Sequence, residues 1–320
     1  MADVLIAVRA LHLAATGMLV GTVIFQGLIA APVFHRIGDA TGGRVGARFT
    51  RWTVWISLGV AIISGAAWLA VLAAQISDAP FADALRDSLP MLLTQTQFGH
   101  VAELRFVIAI LLAWGLWSPR SSRWLTVGLA LCFAGSLAWT GHSGAGDGAT
   151  GDVQVIADAS HAIAAAAWVG GLVPLAYLFA LAARPANGLA PAAVADITRR
   201  FSIMGIICVA TLLITGAVNT WFLVASVAIL VGSSYGQLLM IKIALFLVMV
   251  RIAAINQTRL TPMITADATD VRAKVTIYLA RNSAIEAGLG LAVLAIVGAL
   301  GTLPPELPDD PHVHSHSQAH

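Results

Sequence analysis

The chain has 320 residues, of which 58% are hydrophobic and 11% charged, with a formal net charge of +2 and a mean hydropathy of +0.85. Soluble domains carry about 25% charged residues, so this composition excludes a soluble globular protein. It predicts an all-α polytopic membrane protein, because a helix satisfies its own backbone hydrogen bonds inside lipid. We therefore expect membrane lipid around the chain and no nucleic-acid partner.

Eight apolar stretches are close to the roughly 20 residues that a membrane-spanning helix requires. They run near 4–31, 52–76, 99–118, 123–140, 154–183, 202–224, 236–257 and 282–303. The first has neither a basic start nor a small-residue cleavage site, so we expect it to be retained as a helix.

The loop charges alternate along the chain. Arginine and lysine concentrate in loops 35–51, 119–123, 184–200 and 258–281, whereas loops 77–98, 141–153 and 225–235 and the tail are acidic or neutral. The positive-inside rule then places both termini on the outer side, which is the periplasm of a bacterial cell. The predicted location is the bacterial inner membrane.

Three pairs of segments recur in the same order in the two halves of the chain. "RALHLAATGMLVGT" pairs with "DASHAIAAAAWVGG", "IISGAA" with "LITGAV", and "FGHVAELR" with "YGQLLMIK". The pattern predicts two parallel four-helix repeats, at 1–150 and 151–303, because both halves begin outside. The first pair aligns His12 with His161.

Ionisable residues gather in the outer halves of the predicted spans, where such residues mark functional sites by default. The candidate metal ligands are His12, His100, His142 and His161, since imidazole is a common copper ligand. The candidates for orienting a ligand or pairing with an anion are Glu103, Arg105, Asp158 and Lys242. The alternative is that these residues have only structural roles. His100 and His142 would then lie at the membrane interface, and His12 and His161 would bond to helix carbonyls. The basic side chains would reach to the interface.

The tail, residues 304–320, is proline-rich and poor in hydrophobic residues, which predicts a disordered periplasmic segment. It carries His312, His314, His316 and His320, a compositional signal for auxiliary metal binding.

Several motifs resemble the copper resistance protein D (CopD) family of bacterial inner-membrane proteins. They are "GHSGAGDG", "DASHAIAAAAWVGGLVPL", "RFS", "TGAVNTW", "YGQLLMIKIAL" and "RNSAIEAGLGLAVLAIVGAL", which cover predicted spans 4–8. The resemblance implies copper movement across the inner membrane with a periplasmic partner of the CopC type. It also implies that His142 and His161 are the family's recurring histidines, and His12 follows through the internal repeat.

Two functions remain open from the sequence. The first is a copper permease, not an enzyme, in which His12 and His161 face each other and His142 closes one shared site. Movement would be downhill, because no nucleotide-binding motif is present. The second is a haem-b redox protein with His12 and His161 as axial ligands and with Arg105 and Lys242 paired to the propionates.

Overall fold

The computed structural model describes residues 2–38, 40–77, 81–118, 120–140, 148–184, 189–223, 231–265 and 268–303, and within these ranges every regular element is helical. We label the eight longest helical elements in chain order. They are α1 (Ala2–Ile24), α2 (Ala40–Ser77), α3 (Gln97–Trp117), α4 (Arg123–Gly135), α5 (Gly148–Ala182), α6 (Pro191–Leu223), α7 (Ser234–Ile255) and α8 (Thr269–Leu300).

Short helical segments extend or join these elements. The π-helix Phe25–Ala30 and the α-helix Ala31–Ile37 continue α1, and segments over residues 81–95 precede α3. The 3₁₀-helix Ser136–Thr140 continues α4, while the π-helix Asn256–Leu260 and the 3₁₀-helix Thr261–Thr265 continue α7.

Seven of the described helices are long and apolar enough to cross a membrane. The predicted span 123–140 corresponds to α4, which is an α-helix for 13 residues before it tightens into the 3₁₀ segment. The all-helical polytopic class is thereby confirmed. The eighth span, the outward position of the termini and the repeat boundaries stay predictions.

Matching caps begin α3 and α7. The hydroxyl of Thr96 accepts a hydrogen bond from the amide of Gly99 at 3.0 Å, and the hydroxyl of Ser233 accepts one from the amide of Gly236, also at 3.0 Å. Such caps satisfy backbone donors that a helix start otherwise leaves unpaired. They fix where each helix begins, and hence the depth of the basic residue farther along it.

Helices α1 and α5 form the centre of the bundle. In the span that contains each of these helices, 67% of the residues of its most apolar stretch are buried, compared with 11% in the span that contains α7. Their backbones touch, because a Cβ atom on Gly21 would lie 2.4 Å from the carbonyl oxygen of Ala166 and one on Gly170 would lie 1.9 Å from that of Gly17. Small residues allow such close packing of membrane helices, and the two histidine-bearing helices are thus neighbours.

Candidate metal-binding site

His12 is 4% exposed, and the protein uses both of its ring nitrogens. Nδ1 lies 3.0 Å from the carbonyl oxygen of Ala61 and 3.2 Å from the hydroxyl of Ser64, both on α2. A carbonyl oxygen can only accept, so Nδ1 carries the proton. Nε2 then accepts from the Nη2 of Arg105 at 3.0 Å. The imidazole is closed to a metal ion unless Arg105 moves.

Arg105 is 6% exposed and supplies hydrogen-bond donors at the C-terminal end of α4. Its Nη1 donates to the carbonyl oxygen of Phe133 and to the hydroxyl of Ser136, each at 2.7 Å. The α-helix ends at Gly135, and its last carbonyls need donors from elsewhere. The arginine therefore neither reaches to the interface nor forms an ion pair with Glu103, which is exposed.

Ion pairs within the described residues all lie at the arginine-rich end of the bundle. They join Asp196 to Arg36, Arg199 and Arg200. The expected pairing of Arg105 with an outer carboxylate is replaced by hydrogen bonds to neutral groups.

His161 presents a ring nitrogen that a ligand can use. Its Nδ1 lies 2.9 Å from the hydroxyl of Thr215 on α6. That hydroxyl donates its proton to the carbonyl oxygen of Thr211 at 2.6 Å, so it accepts from the Nδ1–H of His161. Nε2 keeps its lone pair and has no hydrogen-bond partner within the described part of the chain. Metal-binding histidines use this arrangement, because the bond at one nitrogen orients the other.

Asp158 and Asn219 make a second connection between α5 and α6, one helical turn from the first. The Nδ2 of Asn219 donates to the carboxylate of Asp158. The Oδ1 of Asn219 is buried and has no partner among the described residues. Lys242 on α7 lies close enough to interact electrostatically with both Asp158 and His161. The site therefore combines an open imidazole nitrogen, a carboxylate and an unsatisfied amide oxygen.

The corresponding positions of the first half hold different chemistry. Three residues before His12 stands Arg9, and four residues after Ser64 stands Trp68. The guanidinium carbon of Arg9 lies 4.7 Å from the centre of the Trp68 ring, a cation–π contact where the second half has a carboxylate and an amide. The histidine of the first half has both ring nitrogens bonded and lies beside guanidinium groups, whereas the histidine of the second half keeps one nitrogen available beside a carboxylate and an ammonium group.

Of the remaining predicted ligands, the structure describes only His100, which has no contact with His12 or His161 there. His100 is exposed on α3, and His142 and the tail histidines 312, 314, 316 and 320 lie outside the described residues. Within the described ranges no group of three or more His, Cys, Asp or Glu side chains could hold a metal ion. Instead of one shared site, the contacts give His12 partners on α2 and α3 and give His161 a partner on α6.

These contacts do not fit a haem held by two axial histidines. An axial ligand binds iron through a ring nitrogen, and the available nitrogen of His12 accepts from Arg105. The same arginine donates to Phe133 and Ser136 rather than standing ready for a propionate.

Sequence reasoning assigned no role to Thr215 and Asn219. A signal was present, since the two polar residues are four apart in an apolar helix and so lie on one face. For His12 the contacts agree with the structural alternative, a bond to a helix carbonyl, although the sequence does not indicate that the carbonyl belongs to Ala61.

The comparisons with known proteins agree with this architecture. The family model "Copper resistance protein D-like, N-terminal domain" matches residues 1–152, and the model "Copper resistance protein D" matches residues 195–300. No solved structure matches the chain.

Three curated relatives are similar to this chain. Copper resistance protein D of Pseudomonas syringae pv. tomato is 32% identical over 68% of this chain and 72% of its own length. Inner membrane protein YebZ of Escherichia coli K12 is 28% identical over 94% of this chain and 98% of its own. Copper transport protein CutJ of Bacillus subtilis is 29% identical over 52% of this chain but only 28% of its own. The chain therefore belongs to the copper resistance protein D family and is a multi-pass protein of the inner membrane.

Proposed function

We propose that this protein carries copper across the inner membrane, from the periplasm to the cytoplasm, as a permease rather than an enzyme. Copper is captured in the outer half of the bundle by the second repeat. The names of the relatives from Pseudomonas syringae and Bacillus subtilis, which refer to copper resistance and copper transport, support copper as the cargo.

The observation that carries this proposal is the state of the His161 ring. The chain of donors from Nδ1 through Thr215 to the carbonyl of Thr211 leaves the Nε2 lone pair available. Imidazole nitrogen together with carboxylate and amide oxygens is a donor set that binds Cu(II). Asp158 and Asn219 supply those oxygens one turn away, and the proposal adds His142, which lies outside the described residues, as a further ligand.

Lys242 tunes the site electrostatically. Its ammonium interacts with Asp158 when no metal is present, and an arriving copper ion competes for the same carboxylate. From this site the ion moves inward toward the arginine-rich end of the bundle. The membrane potential favours inward movement of a cation, by about 2.3 kcal/mol per charge at 100 mV.

The delivery of copper involves two outer elements. A periplasmic copper-binding protein of the CopC type is the proposed donor. The tail histidines 312, 314, 316 and 320 raise the local copper concentration without forming the principal site.

Copper uptake by proteoliposomes tests this function directly. We expect the wild-type protein to accumulate copper inside the vesicles and the His161→Ala variant to lose at least 90% of the initial rate, roughly the tenfold loss of a weakened metal site. His100→Ala is the matched control, because His100 is an exposed histidine of the same outer half. Wild-type uptake by the His161→Ala variant would refute the proposed site, and absence of uptake by the wild type would refute the transport function.

A further inference from the structure

A buried carboxyl group lies far from the candidate copper site. Glu286 on α8 is 1% exposed, and one of its oxygens accepts from the Nδ2 of Asn256 at 2.7 Å. The Oδ1 of Asn256 in turn accepts from the Nδ2 of Asn282 at 2.7 Å, which fixes the orientation of the amide. Asn256 stands 14 residues beyond Lys242, roughly 21 Å along the helix at 1.5 Å per residue. The two sites occupy opposite halves of the bundle.

Within the described residues no cation neutralises this carboxyl group, since every ion pair there involves Asp196. The charged and titratable side chains of the packed elements have other surroundings. Three arginines nearby are exposed: Arg251, Arg259 and Arg281, the last of which lies over Tyr278. Tyr177 stacks on Phe49. The remaining groups belong to the outer half of the bundle: Arg9, His12 and Lys242. A buried carboxylate without a cation is strongly disfavoured, so the group needs a proton or a bound cation.

The backbone at this position is also irregular. The chain changes from α-helix to π-helix at Asn256, the residue that donates to the carboxyl group. Single π-helical turns inside helices occur frequently at functional sites. The irregular turn and the buried acid therefore coincide at one residue.

Polar residues connect Glu286 to the arginine-rich end of the bundle. Thr276 and Ser283 are buried on α8, seven residues apart and hence on one face, with Glu286 three residues further. Thr276 also lines a cavity of about 320 Å³ together with Arg184 and Arg272. A water-accessible space thus begins at that end and reaches the stripe of polar side chains that leads to the acid.

We propose that Glu286, held by Asn256, is a proton-binding site that exchanges its proton with the arginine-rich side of the membrane through the cavity at Thr276. A proton needs only the oxygen of Glu286 itself, whereas a metal ion needs several oxygen ligands, and the amide oxygen of Asn256 already accepts from Asn282. The inference does not depend on the copper site in the outer half.

Labelling with dicyclohexylcarbodiimide tests this site in membranes that contain the whole protein. A protonated carboxyl group adds across the C=N bond of this apolar reagent, and peptide mass spectrometry locates the adduct. We expect Glu286 to be labelled at neutral pH and to lose the label as the pH on the arginine-rich side alone is raised. Asp196, which is half-buried and ion-paired, is the control within the same chain and is expected to stay unlabelled.

Three outcomes would overturn the inference. Glu286 unlabelled in the folded wild-type protein would mean that the group carries no proton. Suppression of the label by sodium or copper salts at constant pH would identify a bound cation instead. Labelling that responds only to the pH of the opposite side would refute the path through Thr276. The Glu286→Gln variant, which keeps an oxygen for Asn256, is expected to lose the adduct and to bind copper with unchanged stoichiometry, so that this test fails separately from the copper proposal.

Discussion

The contact between α1 and α5 can be tested by adding a single carbon atom. In Gly170→Ala the new Cβ would lie 1.9 Å from the carbonyl oxygen of Gly17, whereas ordinary contacts begin at 3.4 Å. The helices would have to separate by about 1.5 Å, because the atom it meets is backbone and cannot rotate away. Overpacking of this kind costs about 1–3 kcal/mol, and we expect the upper part of that range.

Unfolding in detergent, followed by tryptophan fluorescence during titration with a denaturing detergent, measures this cost. Gly59→Ala is the matched control, since a Cβ there has nothing within 4 Å. That change should stabilise the protein by about 0.5–1 kcal/mol, because alanine favours a helix more than glycine does. If Gly170→Ala were as stable as Gly59→Ala, the close approach of α1 and α5 would be refuted.

Three other predictions concern the polar groups and the topology. Arg105→Met should lower the free energy of unfolding by about 2–3 kcal/mol, since it leaves the buried Nε2 of His12 without a donor and removes one of the two donors to the carbonyl of Phe133; an unchanged unfolding midpoint would contradict this. Asp158→Asn should weaken copper binding by about 10–100-fold in equilibrium dialysis without abolishing it; unchanged affinity would remove the carboxylate from the site. A cysteine at position 269, in a variant lacking Cys132 and Cys208, should be labelled only from the cytoplasmic side; labelling from outside in intact cells would reverse the predicted topology.

The sequence was sufficient to predict the class of fold, an all-helical polytopic membrane protein. Hydropathy predicts apolar helices because a span needs a fixed length, and loop charges predict their direction. The repeat segments that carry His12 and His161 also contain Gly21 and Gly170, small residues that allow the close approach of the two helices. These signals are local, so they can be read from composition and spacing.

The direction in which each histidine ring points could not be predicted in the same way. It depends on the rotation of α1 and α5 about their axes, which is set by packing against α2, α3 and α6. Two aligned histidines suggested a shared site, but the side chains one turn away differ in charge between the halves. Arg9 and Trp68 in one half and Asp158 and Asn219 in the other give two unlike surroundings.

The sequence also did not predict that the α-helix of α4 ends at Gly135. Gly135 and Gly141 flank residues 136–140 in the sequence, but the segment between them is as apolar as a continuing helix, and the span prediction ran through it. The carbonyl of Phe133 at this turn accepts from the nearby hydroxyl of Ser136 and also from Arg105 on another helix. Hydrogen bonds between distant segments of the chain leave no periodic signal.

The central claim is that copper binds at His161 and that His12 is a structural residue. The most direct test is the copper stoichiometry of the purified His161→Ala and His12→Ala variants, measured by equilibrium dialysis with elemental analysis after both are shown to be folded. We expect His161→Ala to lose the bound copper and His12→Ala to retain it with a lower unfolding midpoint, because only the ring of His12 is closed by Arg105. Loss of copper from both variants alike would restore a shared site, and retention by His161→Ala would contradict the account.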